Sequence, residues 1–210
     1  MRNIIYVVVF SLFSACTTKF NTIDTGLADG NFTGNMYEYL KKSSYNWDST
    51  RLMIERGKLV DLFNGERPGY DNFTFFGPTN HSIRRYMKIN NIGSIKEMSE
   101  DFCRETILRH IVKKRYMRND IPKGTPAVYK EDEPLKIQGD GGKVLEGEAG
   151  NRFWIYSFQG SYAGVPNIGA IELKIVSFES AAKIEIASSN IETRNGVVHS
   201  LQYNYTLCEL

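Results

Sequence analysis

The strongest constraint on the fold is the dipeptide Asn195-Gly196 near the end of the 210-residue chain. The two-residue turn that suits twisted antiparallel strands needs positive φ at both positions, and Asn-Gly adopts these angles readily. Downstream, every second residue falls on one face of a strand: Val197, His199, Leu201, Tyr203, Tyr205 and Leu207. The sequence therefore predicts a closing β-hairpin turning at residues 195–196.

The two halves of the chain have different patterns. Helical spacing and capping residues predict helices over 35–43, over 49–63, from Thr79-Asn80, and from Ser94 to Val112. The aromatic run 73–76, stopped by Gly77-Pro78, indicates a buried strand. After Pro122 we predict short strands over 134–138, 143–147, 153–158, 168–178 and 183–187, with a turn at 139–142. This order indicates an α+β fold, with the helices packed on a β-sandwich or wedge formed largely by the second half.

The N-terminus has the layout of an export signal. A positive start is followed by an apolar run and small residues at 14–15, directly before Cys16. The run is shorter than the roughly 20 residues that span a bilayer. We predict a signal peptide over 1–15 and, by similarity to bacterial lipoprotein signals, a lipid on Cys16. An ordinary secretory signal with an incidental cysteine is the alternative.

The residues after Cys16 indicate how the domain is attached to the membrane and to which membrane. Residues 16–34 are mostly polar and predict a lipidated N-terminus with a flexible tether, followed by one domain over 35–210. Thr17 follows the cysteine where an aspartate would signal inner-membrane retention, which favours the outer membrane on an undetermined face. The net charge of +2 gives no case for nucleic acid.

Three segments together resemble the fasciclin domain family. They are the run from Phe73 through Phe75 to Pro78, Thr79 and Asn80, the Leu-Arg-His segment ending at His110, and the segment Asn195, Gly196 to His199. The chain departs from the family pattern at Gly77, His81, Arg109 and Gln202. The resemblance implies a fasciclin-like fold, in which the matching residues specify the fold, and a role in adhesion or extracellular ligand contact.

The sequence gives little support for a catalytic site or a metal site. His110 and His199 lie on predicted apolar faces, so we expect neutral core histidines, with His81 on the surface. The acidic cluster 131–133 lacks the alternating spacing of a calcium loop, and no tight cysteine cluster suggests zinc. We predict no catalytic residue, no metal site and no cofactor. Cys103 and Cys208 could pair, but separate thiols are slightly favoured.

Aromatic and basic residues supply the candidate binding positions. Trp154 and Tyr156 share a strand face; such residues are more often buried, although exposed ones can stack on sugars or anchor an interface. Tyr162 lies in the following segment, 159–167, which we expect to be a binding loop. Arg109 and Lys113 belong to a basic group that suits a helix C-terminus, with an acidic glycan or lipid headgroup as the alternative contact.

These observations favour a membrane-anchored binding or adhesion module without catalytic activity. Its expected partners are the membrane, through Cys16, and an unknown protein or glycan. The alternative is an accessory lipoprotein subunit of an outer-membrane complex of the nutrient-uptake type. An enzyme acting on glycans or peptides is the least favoured interpretation.

Overall fold

The computed structural model describes residues 30–128 and 136–210. The predicted signal peptide, Cys16, the tether up to residue 29 and the acidic cluster 131–133 lie outside the described residues. The helices are α1 Met36–Lys42, α2 Ser44–Arg56, α3 Val60–Asn64, α4 Asn80–Ile89 and α5 Glu100–Arg109. The strands are β1 Phe73–Gly77, β2 Ile111–Val112, β3 Gly124–Thr125, β4 Asp140–Gly141, β5 Lys143–Glu146, β6 Arg152–Gln159, β7 Ile171–Ser177, β8 Lys183–Thr193 and β9 Gly196–Leu201.

The predicted helix over 49–63 is wrong as a single element. The chain forms α2 and α3 instead, separated by Gly57 and by Lys58, which has a φ of 57°. A Cβ at Gly57 would lie 2.9 Å from the Arg104 backbone, so α5 approaches the chain too closely for any side chain. The break is therefore imposed by tertiary packing.

The predicted helix from Ser94 to Val112 is also too long. Ser94 caps only a short 3-10 helix, Ile95–Glu97, and α5 begins after Ser99, whose hydroxyl accepts the Phe102 N–H at 3.1 Å. The predicted capping box at Ser94 is absent, because the Glu97 carboxylate accepts the Gly93 N–H. The chain leaves α5 at His110 to form β2, where pairing with β1 replaces further helical turns.

Seven strands form one sheet in the order β2-β1-β9-β8-β7-β6-β5, and β3 pairs with β4. Strand β1 is parallel to β9 and antiparallel to β2, and the remaining neighbours are antiparallel. The α+β prediction is confirmed, with the helices mainly in the first half and the strands in the second. Three strand predictions correspond to β5, β6 and β7, whereas β8 continues six residues past its predicted end. Residues 136–138 form no strand, and the predicted turn at 139–142 contains β4.

The Asn195-Gly196 hairpin forms, but its turn lies one residue earlier than predicted. Thr193 pairs with Gly196, so Arg194 and Asn195 connect the strands, and Asn195 does not have positive φ. The Asn195 side chain is 4% exposed; it accepts the Met36 N–H at 2.8 Å and donates to the Phe63 carbonyl at 2.9 Å. It therefore joins the hairpin to α1 and α3.

The alternation predicted after the hairpin ends early. Strand β9 stops at Leu201, and Tyr203 is 49% exposed, so the shared face does not reach it. Tyr205 is buried again, although it lies outside a strand. Burial in this segment follows contacts with the helices and no longer follows strand periodicity.

Candidate functional site

The three fasciclin-like segments come together around β1: the first forms β1 and the corner after it, the second is the end of α5 just before β2, and the third is the hairpin turn with β9. Phe75 in β1 pairs with Val198 in β9 on one side and with Ile111 in β2 on the other. The Phe76 N–H also donates to the His110 carbonyl at 2.9 Å. Phe75 is fully buried, with its ring edge-to-face against Phe63 at 5.0 Å. These residues form the centre of the fold and present no accessible surface.

The corner after β1 is built by Pro78, Thr79 and Asn80. Thr79 is the N-cap of α4, but its side chain makes no capping bond, so the predicted cap is wrong in detail. The Asn80 amide instead contacts α2: it accepts the Ser49 N–H at 2.7 Å and donates to the Tyr45 carbonyl at 2.7 Å. The Pro78 carbonyl accepts the Thr50 hydroxyl. The corner therefore holds α2 against the sheet.

Gly77, which departs from the family pattern, also has a packing reason. A Cβ there would lie 2.5 Å from the Trp47 ring of α2. Trp47 is 1% exposed and fills the space that a larger residue at 77 would need. This departure is compensated within the core.

His110 is a neutral core histidine, as predicted. It is fully buried, its Nδ1–H donates to the Thr106 carbonyl at 2.6 Å, and its Nε2 accepts the Tyr205 hydroxyl at 2.7 Å. Burial lowers the pKa of His110 to about 4. Both ring nitrogens are occupied, so neither is available for proton transfer to a ligand.

His199 has the same character on the opposite side of β1. Its Nε2–H donates to the Tyr116 carbonyl at 2.8 Å, and its ring stacks on Phe76 at 5.4 Å. Burial lowers the pKa of His199 to about 4. His81 is exposed, as predicted, with its ring 4.5 Å from that of Tyr203.

The proposed binding roles of Trp154 and Tyr156 are excluded by their burial. Trp154 is 0% and Tyr156 5% exposed, and their rings stack at 4.3 Å in a small cluster with Val176. The indole N–H of Trp154 donates to the Gly141 carbonyl at 3.0 Å. Because β3 and β4 cover this face of β6, neither ring can stack on a ligand.

Arg109 and Lys113 are engaged within the molecule. Arg109 donates to the Leu210 carbonyl at 2.6 Å and pairs with Glu179. The Lys113 ammonium lies 4.8 Å from the centre of the Tyr70 ring. Arg109 therefore braces the C-terminus, whereas Lys113 stays exposed at the surface.

Tyr162 is exposed on the tip of the β6–β7 hairpin. The Tyr162 and Val165 backbones exchange two 3.0 Å hydrogen bonds around Ala163 and Gly164, which both have positive φ. Gln159 supports the base of this tip by donating to the Gly169 carbonyl at 3.0 Å. The tip is therefore a built hairpin, and the two-residue turn with two positive φ angles occurs here.

Exposed apolar side chains concentrate on this hairpin. Nine large apolar side chains are exposed among the described residues, and four of them fall between residues 158 and 168. Tyr162 is 69% exposed, and the other three are Phe158, Val165 and Ile168, with exposures of 41–54%. Sequence reasoning did not select Val165 or Ile168 for binding. The sequence feature that could have identified them is the presence of apolar residues on each side of a turn rich in Gly and Pro.

Metal ligands, membrane-spanning helices and a disulfide were also sought in the described part of the chain. Residues 30–128 and 136–210 contain no cluster of His, Cys, Asp and Glu suited to a metal ion. No helix formed by these residues is long and apolar enough to cross a membrane. Cys103 and Cys208 are both free, the first buried and the second exposed.

The helices packed on a seven-stranded mixed sheet, with the motif residues buried at its β2-β1-β9 side, define an α+β domain of the fasciclin type. The chain matches the fasciclin domain family over residues 46–203, and it belongs to that family. Fasciclin domains are typically adhesion or binding modules and are not an enzyme family.

Among solved structures, a FAS1 domain pair from the insect cell adhesion molecule fasciclin I is similar, with a TM-score of 0.54 and 18% identity. The match covers 84% of this chain and 51% of the other, so the chain spans about half of that domain pair. This likeness shows the fold alone. No curated protein matches the chain.

Proposed function

We propose that this protein is a membrane-anchored, extracytoplasmic binding module without catalytic activity, and that its contact surface is the β6–β7 hairpin tip. The observation that carries the proposal is the group of exposed apolar side chains at Phe158, Tyr162, Val165 and Ile168. Aromatic residues on an ordered scaffold contribute large contact areas at small entropic cost. The cell-adhesion role of the insect domain pair supports the same class of function.

The anchor in this proposal is a lipid on Cys16, and the expected location is the outer membrane. A binding module held at a surface meets a partner in the same membrane at a high local concentration, so weak contacts are sufficient. Cys16→Ser should move the protein from the membrane fraction to the soluble fraction. Retention of this variant in the membrane would refute the lipid anchor without affecting the hairpin assignment.

The hairpin assignment is tested with a double variant, Tyr162→Ser with Ile168→Ser. We expect it to lose partner recovery when the protein is affinity-purified from its native membrane, because both side chains are exposed and contribute little to folding. The matched control is Tyr45→Ser, since Tyr45 is 82% exposed on α2, away from the hairpin. Equal recovery by all three proteins would refute the assignment.

The alternative function is a stable accessory subunit of an outer-membrane complex. The apolar character of the hairpin favours it, since permanent interfaces bury more apolar surface than transient ones. A stoichiometric complex that survives extensive washing would support this alternative. Contact that is detected only while both partners are in the membrane would support the adhesion module.

A further inference from the structure

A groove lies between α2, α4, the 3-10 helix Ile95–Glu97 and the start of α5. Its volume is about 570 Å³, within the roughly 300–1,000 Å³ of pockets that hold small organic ligands. Helix α2 lines it with Ser49, Leu52 and Arg56, which share one helix face because they are three and four residues apart. The packing of these helices therefore forms a concave site outside the β6–β7 hairpin.

The floor of the groove is apolar. Leu52 from α2, Met87 from α4 and Ile95 from the 3-10 helix line it. Ile95 is 8% exposed and belongs to the core, whereas Leu52 is 39% exposed and Met87 is half-buried. Ligand pockets typically combine such an apolar surface with a few charged groups that fix the orientation of the ligand. This apolar floor can hold a hydrocarbon chain.

The two acidic side chains that line the groove are already paired within the protein. The Glu55 carboxylate accepts the Tyr37 hydroxyl at 2.5 Å and forms an ion pair with Arg51. The Glu100 carboxylate forms an ion pair with Lys58 at 2.5 Å. Neither glutamate is therefore needed to balance the remaining cations of the groove.

Two cations of the groove are unpaired. Of the four that line it, Lys58 pairs with Glu100, and the Arg56 Nε–H donates to the Met98 carbonyl. Arg84 and Lys96 are exposed, and their side chains have no ion pair or hydrogen bond with the residues that the structure describes. They come from different elements, α4 and the 3-10 helix, and both border the apolar floor. The groove therefore combines an apolar surface with two free positive charges.

We propose that the groove binds a fatty-acid anion, with its chain on the apolar floor and its carboxylate on Arg84 and Lys96. An arginine can donate two parallel N–H bonds to one carboxylate, and a lysine adds a charged donor. A monoanionic head suits the site better than a phosphate monoester, because Glu55 and Glu100 would repel a second negative charge. This inference requires neither a lipid on Cys16 nor the hairpin contact.

Calorimetric titration of the purified full chain with sodium decanoate, below the concentration at which it forms micelles, tests the proposal. The double variant Arg84→Gln with Lys96→Gln should bind decanoate about tenfold or more weakly than wild type, because the carboxylate loses its charged donors. The matched control Lys41→Gln removes an exposed cation of α1 that does not line the groove, and it should bind as wild type does. All three positions are exposed, so unchanged thermal midpoints should report intact folding.

Further titrations separate the contribution of the chain from that of the head. 1-Decanol has the same chain without the charge and should bind about tenfold more weakly than decanoate. Leu52→Ser, which removes apolar surface from the floor, should weaken decanoate binding about fivefold. The hairpin double variant Tyr162→Ser with Ile168→Ser should bind decanoate as wild type does, so this site and the proposed contact surface can fail separately.

Equal affinity of wild type and of the Arg84 and Lys96 double variant for decanoate would overturn the proposal. Displacement of decanoate by an equal concentration of acetate would also overturn it, because the site would then bind simple anions without using the apolar floor. Vesicles of phosphatidylglycerol provide the last measurement. If they bind wild type but not the double variant, and decanoate binds neither, the two cations contact a bilayer surface and the proposal is wrong.

Discussion

The β2-β1-β9 region and the β6–β7 hairpin tip use the same residue types for opposite purposes. Phe75, Phe76 and Val198 are fully buried between helices and sheet. Tyr162 and Ile168, on the hairpin, are more than half exposed. Residues that identify the family are concentrated in the first region, and the accessible apolar side chains are concentrated in the second.

This difference separates what preserves the fold from what is available for binding. The histidines and asparagines of the motif strands have their hydrogen bonds satisfied by the protein itself, as at His110 and Asn195. The hairpin tip contributes little to the core and can therefore vary without loss of the fold. Two regions with such different roles should respond differently to substitution.

The largest difference is expected between two glycines. Gly196→Ala places a Cβ 2.1 Å from the Phe73 carbonyl, so the parallel pairing of β1 with β9 must shift. We expect a loss of about 4 kcal/mol in the free energy of unfolding, measured by urea denaturation. The control Gly164→Ala, in the hairpin turn, has φ of 80° and open space around the Cβ, and should cost about 1 kcal/mol. Equal losses would contradict the proposed division.

Removing the Asn195 amide should have the next largest effect. Asn195→Ala leaves the buried Met36 N–H and Phe63 carbonyl without their side-chain partner. Each unsatisfied buried group costs about 1–3 kcal/mol, so we expect a loss of about 3 kcal/mol. The control Asn204→Ala, at an exposed position, should change stability by less than about 0.5 kcal/mol. A loss at Asn195 no larger than at Asn204 would show that this side chain does not brace the helices.

The buried histidines should make stability fall in mild acid. The pKa of His199 is about 4 in the folded protein, below the 6.5 of the unfolded chain. The unfolded state therefore binds more protons between these values, so stability is complete above pH 6.5 and declines toward pH 4. One such histidine contributes a loss of about 2 kcal/mol by pH 5.

Comparison with His199→Gln isolates this contribution. Wild type should lose about 2 kcal/mol more than the variant when urea denaturation at pH 7.5 is compared with pH 5. The variant is expected to be less stable at both pH values, because it loses the stacked ring and its hydrogen bonds. Parallel pH dependence of the two proteins would contradict a neutral, buried His199.

The smallest stability effect is expected on the hairpin tip. Tyr162→Ser should change the free energy of unfolding by less than about 0.5 kcal/mol, because the ring is 69% exposed. Thermal denaturation should give a midpoint close to that of wild type. A loss above about 2 kcal/mol would assign Tyr162 a packing role and weaken its assignment as a contact residue.

The sequence by itself determined the α+β class, the buried β1 strand and the neutral histidines. These features depend on local patterns: apolar spacing, turn residues and histidines on apolar faces. The family resemblance also came from local patterns. Short segments whose backbone geometry restricts the choice of residue can still be recognised when only 18% of residues are identical to those of a solved structure with the same fold. The loop that contains the exposed Tyr162 could also be predicted from the sequence, because Gly and Pro residues mark its turn.

Where two elements of the fold contact each other, only the tertiary structure decided whether the local preference of the sequence was realised. It placed Gly57 against α5, broke the helix there, and moved the hairpin turn by one residue, from Asn195-Gly196 to Arg194-Asn195. It also buried Trp154 beneath a segment distant in sequence, with its indole N–H on Gly141. Local patterns record the preference of each segment, but close approach and shared hydrogen bonds are properties of pairs of segments that only the folded chain brings together.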